Sequence, residues 1–274
     1  MKYLILILFV IVLASCSGNV SQEASQEKQQ PEKKQRPIAV DNGKIFTAGS
    51  QKMLYGGQDS AQHFDITNNE LKDEQFHYGI GREVFPALLD PEFITVSAAD
   101  SQWHDTTRFL VAYAGDEVKA YAVPDLTRHE VVNDSLNGKP IMAAYCILAD
   151  LGAIYDRQYG DKTLTFALSG YTYFDENVWD GLDGFVFWDR ETESLWWPLI
   201  GRAVSGPLKG VQLLEMDKQY WKDTDWATVK EKYPSAQVMQ SGQDFERPNA
   251  WPALTDVSEI VETYQSAPGK GQSR

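Results

Sequence analysis

The stretch RHEVVNDSLNGKPIMAAYCILADLGAIYDR, from Arg128 to Arg157, decides the fold of this chain. Its centre is the dipeptide Asn137-Gly138, which lies between two runs rich in apolar residues. This dipeptide predicts a two-residue β-hairpin turn, because both of its positions tolerate positive φ. A two-residue turn fixes the register of the two strands, and with it the side chains that face one another.

The register of this hairpin predicts that a histidine meets a cysteine. It sets Asn133 opposite Met142 and, further from the turn, His129 opposite Cys146. Directly opposed residues have Cβ atoms about 4.5–5.5 Å apart, so we expect the imidazole and the thiol to be in contact. An imidazolium in that place would lower the pKa of the thiol below about 8.5.

Further turn signals predict hairpins on both sides of the central one. Gly115-Asp116 separates the apolar runs 108–114 and 117–123, Gly160-Asp161 separates 153–157 from 163–168, and the loop 190–194 separates 185–188 from 195–200. Successive hairpins imply a mainly β (α+β) fold, built as an antiparallel sheet or a barrel-like domain. Capping patterns predict a few peripheral helices, at 225–233 after Thr224 and at 257–265 after Asp256.

The N-terminus has the pattern of an export signal. Lys2 precedes the apolar run 3–12, and small residues then lead to Cys16. The run is shorter than the roughly 20 residues that cross a bilayer, and small residues before a cysteine resemble the bacterial lipobox. We therefore expect residues 1–15 to be a lipoprotein signal peptide and Cys16 to be the lipidated, palmitate-bearing residue. This places the protein in the bacterial cell envelope, on the outer membrane or the periplasmic face of the inner membrane.

Composition divides the remaining chain. Residues 16–43, which begin with the lipid anchor, are rich in Gln, Glu, Ser and Lys and predict a disordered tether. The interval 44–265 has the composition of a single globular β-rich domain, and residues 266–274 are expected to form a flexible tail.

The charge of the chain bears on its partners. The formal net charge is −14, and the basic residues are dispersed among a larger number of acids. A protein that binds phosphate backbones needs clustered Lys and Arg, so we expect no nucleic acid partner. The membrane is the expected partner, through the lipid anchor, and a protein or glycan partner is left open.

A set of motifs resembles the bacterial family catalogued as domain of unknown function thirty-one seventy-nine. The motifs are FPALLDP at 85–91, HEVVND at 129–134, Tyr145-Cys146, YDR at 155–157, LSG at 168–170, WDRET at 188–192 and Leu195-Trp196. The resemblance supports the domain boundary and the choice of candidate site residues, but it implies no reaction.

This chain departs from the family pattern at its cysteine. Relatives of this type usually have a C-P-L-C-G run, whereas here Cys146 is followed three residues later by Ala149. A Cys-x-x-Cys pair could bind a soft metal or cycle as a dithiol, and this chain lacks the second thiol for either.

Cys146 is the principal candidate site residue. If Cys16 is lipidated, Cys146 is a lone thiol in an oxidising compartment, which is unusual. In one interpretation His129 activates this thiol for redox chemistry, or the pair binds a soft metal such as copper with Met142 or Asn133. In the alternative, the chain is a structural envelope protein and Cys146 is a buried, inert core residue.

Two Asp-Arg pairs are secondary site candidates. Asp156-Arg157 and Asp189-Arg190 stand at similar predicted strand ends, where a catalytic role competes with turn or ion-pair contacts. Strand parity places Glu130 on the face opposite His129, so this acid is not expected to be a partner of the histidine.

The run 171–188 offers a different function. Trp179 and Trp188 lie in it among acids such as Asp175 and Asp183. Aromatic faces beside carboxylates are typical of ligand-binding modules, here for a glycan or a peptide. The alternative is a solvated acidic loop over an aromatic core.

Overall fold

The structure, a computed structural model, describes residues 41–241 and 253–265. In chain order its strands are β1 (Asp41–Asn42), β2 (Ile45–Ala48), β3 (Gln51–Leu54), β4 (Phe64–Asp65), β5 (Phe76–Tyr78), β6 (Leu88–Leu89), β7 (Phe93–Thr95), β8 (Arg108–Ala114), β9 (Glu117–Ala122), β10 (Val131–Leu136), β11 (Lys139–Cys146), β12 (Leu151–Asp156), β13 (Gln158–Tyr159), β14 (Lys162–Thr163), β15 (Phe166–Tyr173), β16 (Gly184–Asp189), β17 (Leu195–Trp197), β18 (Arg202–Ser205), β19 (Leu214–Glu215), β20 (Trp221–Asp225) and β21 (Gln237–Met239). The α-helices are α1 (Val96–Ala99), α2 (Val123–His129), α3 (Trp226–Lys232) and α4 (Ser258–Tyr264), and the 3₁₀ helices are Ser60–Gln62, Asp73–Gln75, Asp100–Gln102 and Pro198–Ile200.

The central hairpin forms as predicted. Asn137 and Gly138 have φ of 49° and 74°, as a two-residue turn of this kind requires. β10 and β11 pair antiparallel, and Asn133 lies opposite Met142. The predicted register is therefore confirmed within the ladder itself.

Three sheets are stacked on one another. Sheet I has the strand order β1-β5-β15-β16-β17-β18, sheet II has the order β19-β12-β11-β10-β6, and sheet III has the order β20-β8-β9-β21-β7. The remaining described strands form two smaller sheets, β2-β3-β4 and β13-β14. Most strand pairs are antiparallel, while β6 with β10 and β9 with β21 are parallel. The mainly β prediction is confirmed, and the sheets of the described residues are open rather than closed into a barrel.

Sheet II is buried on both of its faces. Val131, Met142, Ala144, Cys146 and Tyr155 share one core with residues of sheet I. The alternate residues share a second core with sheet III, and these are Val132, Leu136, Ile141, Ala143, Tyr145 and Ile154. A strand with apolar neighbours on both sides does not alternate between apolar and polar residues, which explains the continuous run IMAAYC at 141–146.

Polar side chains of β10 join the three sheets. The amide of Asn133 donates to the carbonyl of Phe166 at 2.8 Å and accepts from its N–H at 2.9 Å, which ties sheet II to sheet I. Asp134 points the other way, where it accepts from Lys119 at 2.8 Å and from Tyr121 at 2.7 Å on sheet III. Each buried polar group of this strand thus has a partner in a neighbouring layer.

Two of the flanking hairpins are confirmed and one is wrong. β8 pairs with β9 around Gly115, and β16 pairs with β17. In contrast, β12 lies in sheet II and β15 in sheet I, so the strands on either side of Gly160-Asp161 do not pair with each other. That turn joins only β13 and β14, because the chain uses this segment to cross from one layer to the next.

The helices pack against the sheets. α1 and α3 pack on the outer face of sheet III, where α3 contributes Trp226 and Val229. α3 begins after Asp225, whose carboxylate accepts from the N–H of Thr228 at 2.8 Å, so the cap is one residue later than predicted. No pattern in the sequence predicted α2, which places His129 at the end of a helix and not in β10.

The boundaries of the predicted segments stay predictions. Asp41 and Asn42, near the end of the predicted tether, form β1 and pair with Tyr78 and His77 of sheet I. The signal peptide 1–15, Cys16 and the tail 266–274 lie outside the described residues. Among the residues that are described, no helix is long and apolar enough to cross a membrane.

Candidate functional site

His129 does not face Cys146 in the ladder. It is the last residue of α2, and Glu130 follows with φ of 55° as the left-handed cap of that helix. The β10 ladder therefore starts at Val131, while Cys146 pairs with Leu151 on its other side. The predicted pairing is wrong because a helix ends where the pattern suggested that the strand continued. The Nδ1 of His129 bonds instead to the carbonyl of Pro86 at 2.8 Å.

Cys146 is buried at the end of β11. Its side chain faces sheet I, is 1% exposed, and places its Sγ 4.0 Å from the backbone carbonyl oxygen of Asp183. Burial and the nearby charge of Glu130 raise the pKa of the thiol to about 12, although backbone N–H groups that include that of Ala149 act in the opposite direction. The expected lowering of this pKa is thus wrong, because an apolar environment disfavours the thiolate.

The predicted metal ligands are held by other contacts. Met142 is fully buried in the core between sheets I and II, and the amide of Asn133 is bonded to Phe166. Within 41–241 and 253–265, no group of three or more His, Cys, Asp and Glu side chains is placed to hold a metal ion.

Glu130 is a neighbour of Cys146 that the sequence analysis missed. Its side chain is almost fully buried and accepts a hydrogen bond from the backbone N–H of Ile147. Burial raises the pKa of this carboxyl to about 7. Parity assigned Glu130 to the opposite face, and that argument does not apply because Glu130 is a helix cap with positive φ.

A buried histidine and aspartate lie near Cys146. The Nδ1 of His77 bonds to the carboxylate of Asp183, which also accepts from the hydroxyl of Thr172 at 3.0 Å. His77, Thr172 and Phe185 are aligned across β5, β15 and β16, so they share the face of sheet I that looks towards sheet II. Asp183 therefore contacts the imidazole through its carboxylate and the thiol through its carbonyl.

A cleft of about 850 Å³ opens beside Cys146. It lies between β11, β12 and β19 of sheet II and β16 of sheet I. Its wall is mainly apolar, with Tyr155, Phe185, Leu199 and Met216 among the side chains that line it. Glu215, Asp217 and Lys218 supply its charged groups.

The secondary candidates make structural contacts. Asp156 accepts from the N–H of Gln158 at 2.7 Å, and the guanidinium of Arg157 donates to three backbone carbonyls, those of Ile141, Leu164 and Asp134. The fully buried carboxylate of Asp189 accepts from Thr192 and Trp196. Arg190 forms a two-point ion pair with Glu83, at 2.8 and 3.0 Å. These contacts shape turns and strand ends.

The tryptophans of the run 171–188 both pack against the protein itself. Trp188 is 3% exposed, and the guanidinium of Arg82 lies 3.6 Å from the centre of its ring. The indole N–H of Trp179 donates to the carbonyl of Leu182 at 2.8 Å, and its ring packs so closely on Gly181 that a Cβ there would meet it at 2.0 Å. One face of each ring is therefore already in contact with the chain.

Comparison with known proteins identifies one family. The family model described as protein of unknown function (DUF3179) matches residues 82–265, which is more than half of the chain. No curated protein and no solved structure matches the sequence. The matched interval contains Glu130, Cys146, Asp183 and the whole cleft wall, whereas His77 precedes it.

Glu130 should make the stability of the fold depend on pH. Its carboxyl pKa is about 7 in the folded state against an ordinary 4.5, so the folded protein holds the proton to higher pH than the unfolded chain does. Stability should fall as pH rises between these values and stay lower above them. Glu130→Gln removes the ionisation, and we expect the variant to be about 3 kcal/mol more stable than wild type at pH 8 and equal to it at pH 4. Urea unfolding at both pH values measures this.

The exposed Glu176 provides a matched control. Glu176→Gln should change the free energy of unfolding by less than about 0.5 kcal/mol at either pH. If Glu130→Gln has the same effect at pH 4 and pH 8, the carboxyl ionises in the folded protein without a penalty, and the assignment of its environment is wrong.

Proposed function

We propose that this chain, which belongs to the DUF3179 family of proteins of unknown function, is a lipid-anchored binding protein of the bacterial cell envelope. Its ligand is a small molecule held in the cleft beside Cys146. The observation that carries this proposal is the cleft itself, with about 850 Å³ of space between two sheets and a mainly apolar wall. Small-molecule sites are typically concave, mainly apolar and supplied with a few polar groups.

The state of the thiol favours binding over covalent chemistry. With a pKa of about 12, Cys146 is protonated at neutral pH, and its 1% exposure limits access by oxidants or electrophiles. The sulfur therefore serves as part of the wall. This also fits the interpretation of Cys146 as an unreactive core residue.

A soft metal ion is the second candidate ligand. Met216 lines the same cleft as Cys146, so two sulfur side chains border one space. Thiolate and thioether are the ligands that Cu(I) prefers. A binding role for Trp179 and Trp188 has less support, because each ring already has one face against the chain.

Filling the cleft should abolish binding of an apolar probe. Ala149 lines the cleft and is half-buried, so Ala149→Phe puts a ring into the space. We expect the affinity for the neutral dye N-phenyl-1-naphthylamine to fall by at least about tenfold, measured by fluorescence titration. Ala227→Phe on the exposed side of α3 is the control and should bind as wild type does. Equal dye affinity in both variants would place the dye elsewhere and refute the proposal.

Copper competition tests the second candidate. Under anaerobic conditions, a Cu(I) site in the cleft should compete with bathocuproine disulfonate, and Cys146→Ser and Met216→Leu should each weaken that competition by about tenfold or more. Met53→Leu, in β3 and away from the cleft wall, should not. Wild-type protein that takes no copper from the chelator rules this candidate out.

The lipid anchor is tested by its modification. Cys16 lies outside the described residues and is the residue we propose to be acylated. Wild-type protein should incorporate labelled palmitate and enter the detergent phase of a Triton X-114 extraction, whereas Cys16→Ala should remain unlabelled and aqueous. Identical partitioning of the two proteins would refute the anchor and leave the cleft proposal intact.

A further inference from the structure

Tyr155 projects from the middle of sheet II towards the cleft. It pairs with Met142 on one side and with Glu215 on the other, and it lines the cleft together with Cys146. Its ring packs edge to face against Phe187 of sheet I, with 6.4 Å between the ring centres. The ring is thus fixed between two sheets, and its hydroxyl has a defined position.

The hydroxyl of Tyr155 differs from those of the other buried tyrosines. Tyr155 is 6% exposed, yet no described residue accepts a hydrogen bond from it. Every other buried tyrosine of the described residues donates to a protein acceptor, at 2.7 Å from Tyr121 to Asp134, 2.6 Å from Tyr145 to Asp150, 2.9 Å from Tyr159 to Gln212, 2.7 Å from Tyr171 to Tyr55 and 2.6 Å from Tyr173 to Gln75. The Tyr155 hydroxyl is not fully enclosed by protein, so it reaches the open space of the cleft.

The chemistry of this hydroxyl defines what it can recognise. Burial, together with the charges of Glu215 and Cys146, raises the pKa of Tyr155, so the hydroxyl keeps its proton and is available as a donor. A phenol is a better donor than acceptor, because its oxygen lone pairs delocalise into the ring. A donor left unpaired in an apolar wall carries a desolvation penalty, which an acceptor on a ligand removes.

The charges around the cleft restrict the kind of acceptor. Glu215 and Asp217 line it with Lys218, which is already paired with Glu215 at 2.9 Å. The formal charge of the whole chain is −14. A carboxylate or phosphate would therefore be repelled, while an uncharged oxygen would not.

We propose that the cleft selects uncharged, mainly apolar molecules that carry a carbonyl or ether oxygen, and that Tyr155 donates the hydrogen bond that recognises this oxygen. The inference rests on the proposed binding function of the cleft and names the class of its ligand. Tyr155 is a specificity residue in this scheme, because the apolar wall supplies affinity for molecules with and without the oxygen.

Two probes of equal size test the hydrogen bond. 2-Acetylnaphthalene and 2-ethylnaphthalene differ in a carbonyl oxygen, and each is titrated as a competitor of N-phenyl-1-naphthylamine. Tyr155→Phe removes the hydroxyl and leaves the ring in place. We expect the variant to bind the ketone about tenfold more weakly than wild type and the hydrocarbon within about twofold. Tyr220→Phe, at an exposed tyrosine, should change neither affinity.

Each result has a distinct meaning. If Tyr155→Phe affects both probes equally, or neither, Tyr155 does not recognise an oxygen and the inference is overturned, while the cleft remains a binding site. If wild-type protein binds neither the dye nor the probes, the binding function itself fails and the inference fails with it. Because no described residue bonds to the hydroxyl, the stability of Tyr155→Phe should equal or exceed that of wild type, which thermal unfolding verifies.

Discussion

Burial of the central hairpin on both faces is the constraint on which the rest of the structure depends. Sheet II has no solvent-facing side along β10 and β11, so its backbone groups are satisfied within the ladder and its polar side chains need partners in other layers. Asn133 finds Phe166 on sheet I, and Asp134 finds Lys119 on sheet III. The order of the layers follows from these opposite directions, since each contact specifies which sheet lies on which side.

The cleft follows from the same stacking. β10 contacts sheet I directly through Asn133, but β12 and β19 at the other side of sheet II leave space next to β16. Small residues, such as Ala144 and Gly184, line this space. Cys146 and Tyr155 point into the same interface and become its polar groups. The cleft is therefore the part of the interface where the two sheets diverge. The strands on either side of it are themselves well packed.

The sequence predicted the elements that depend on local patterns. Asn137-Gly138 determined a turn, and the apolar runs around it determined two strands, so the register could be derived without a structure. His129 could not be placed in this way, since it is the last residue of α2 and lies two residues before β10 begins. The proximity of Glu130 to Cys146 was hidden for the same reason. The parity of a strand has no meaning at a helix cap with positive φ.

Contacts between distant segments were beyond the sequence. His77 and Asp183 are 106 residues apart, and only the arrangement of β5, β15 and β16 brings them together. The cleft has no local signal either, because its wall is assembled from segments between Ala144 and Lys218 that belong to different sheets. Tyr155 could be assigned to a strand from its surroundings, but the lack of a partner for its hydroxyl among the described residues is a property of the packed layers.

Because Asn133 and Asp134 point in opposite directions, their contacts also disfavour a wrong register of β10. A shift of β10 by one residue would exchange its two faces, because side chains alternate along a strand. The carboxylate would then be enclosed against Phe166 without a cation, and Lys119 would lose the closer of its two anions and keep Glu117 at 3.7 Å. An uncompensated buried charge costs about 3–5 kcal/mol, which is comparable to much of the stability of a domain. A wrongly aligned hairpin would therefore be destabilised once the outer sheets enclosed it, which favours the correct alignment in the folded state.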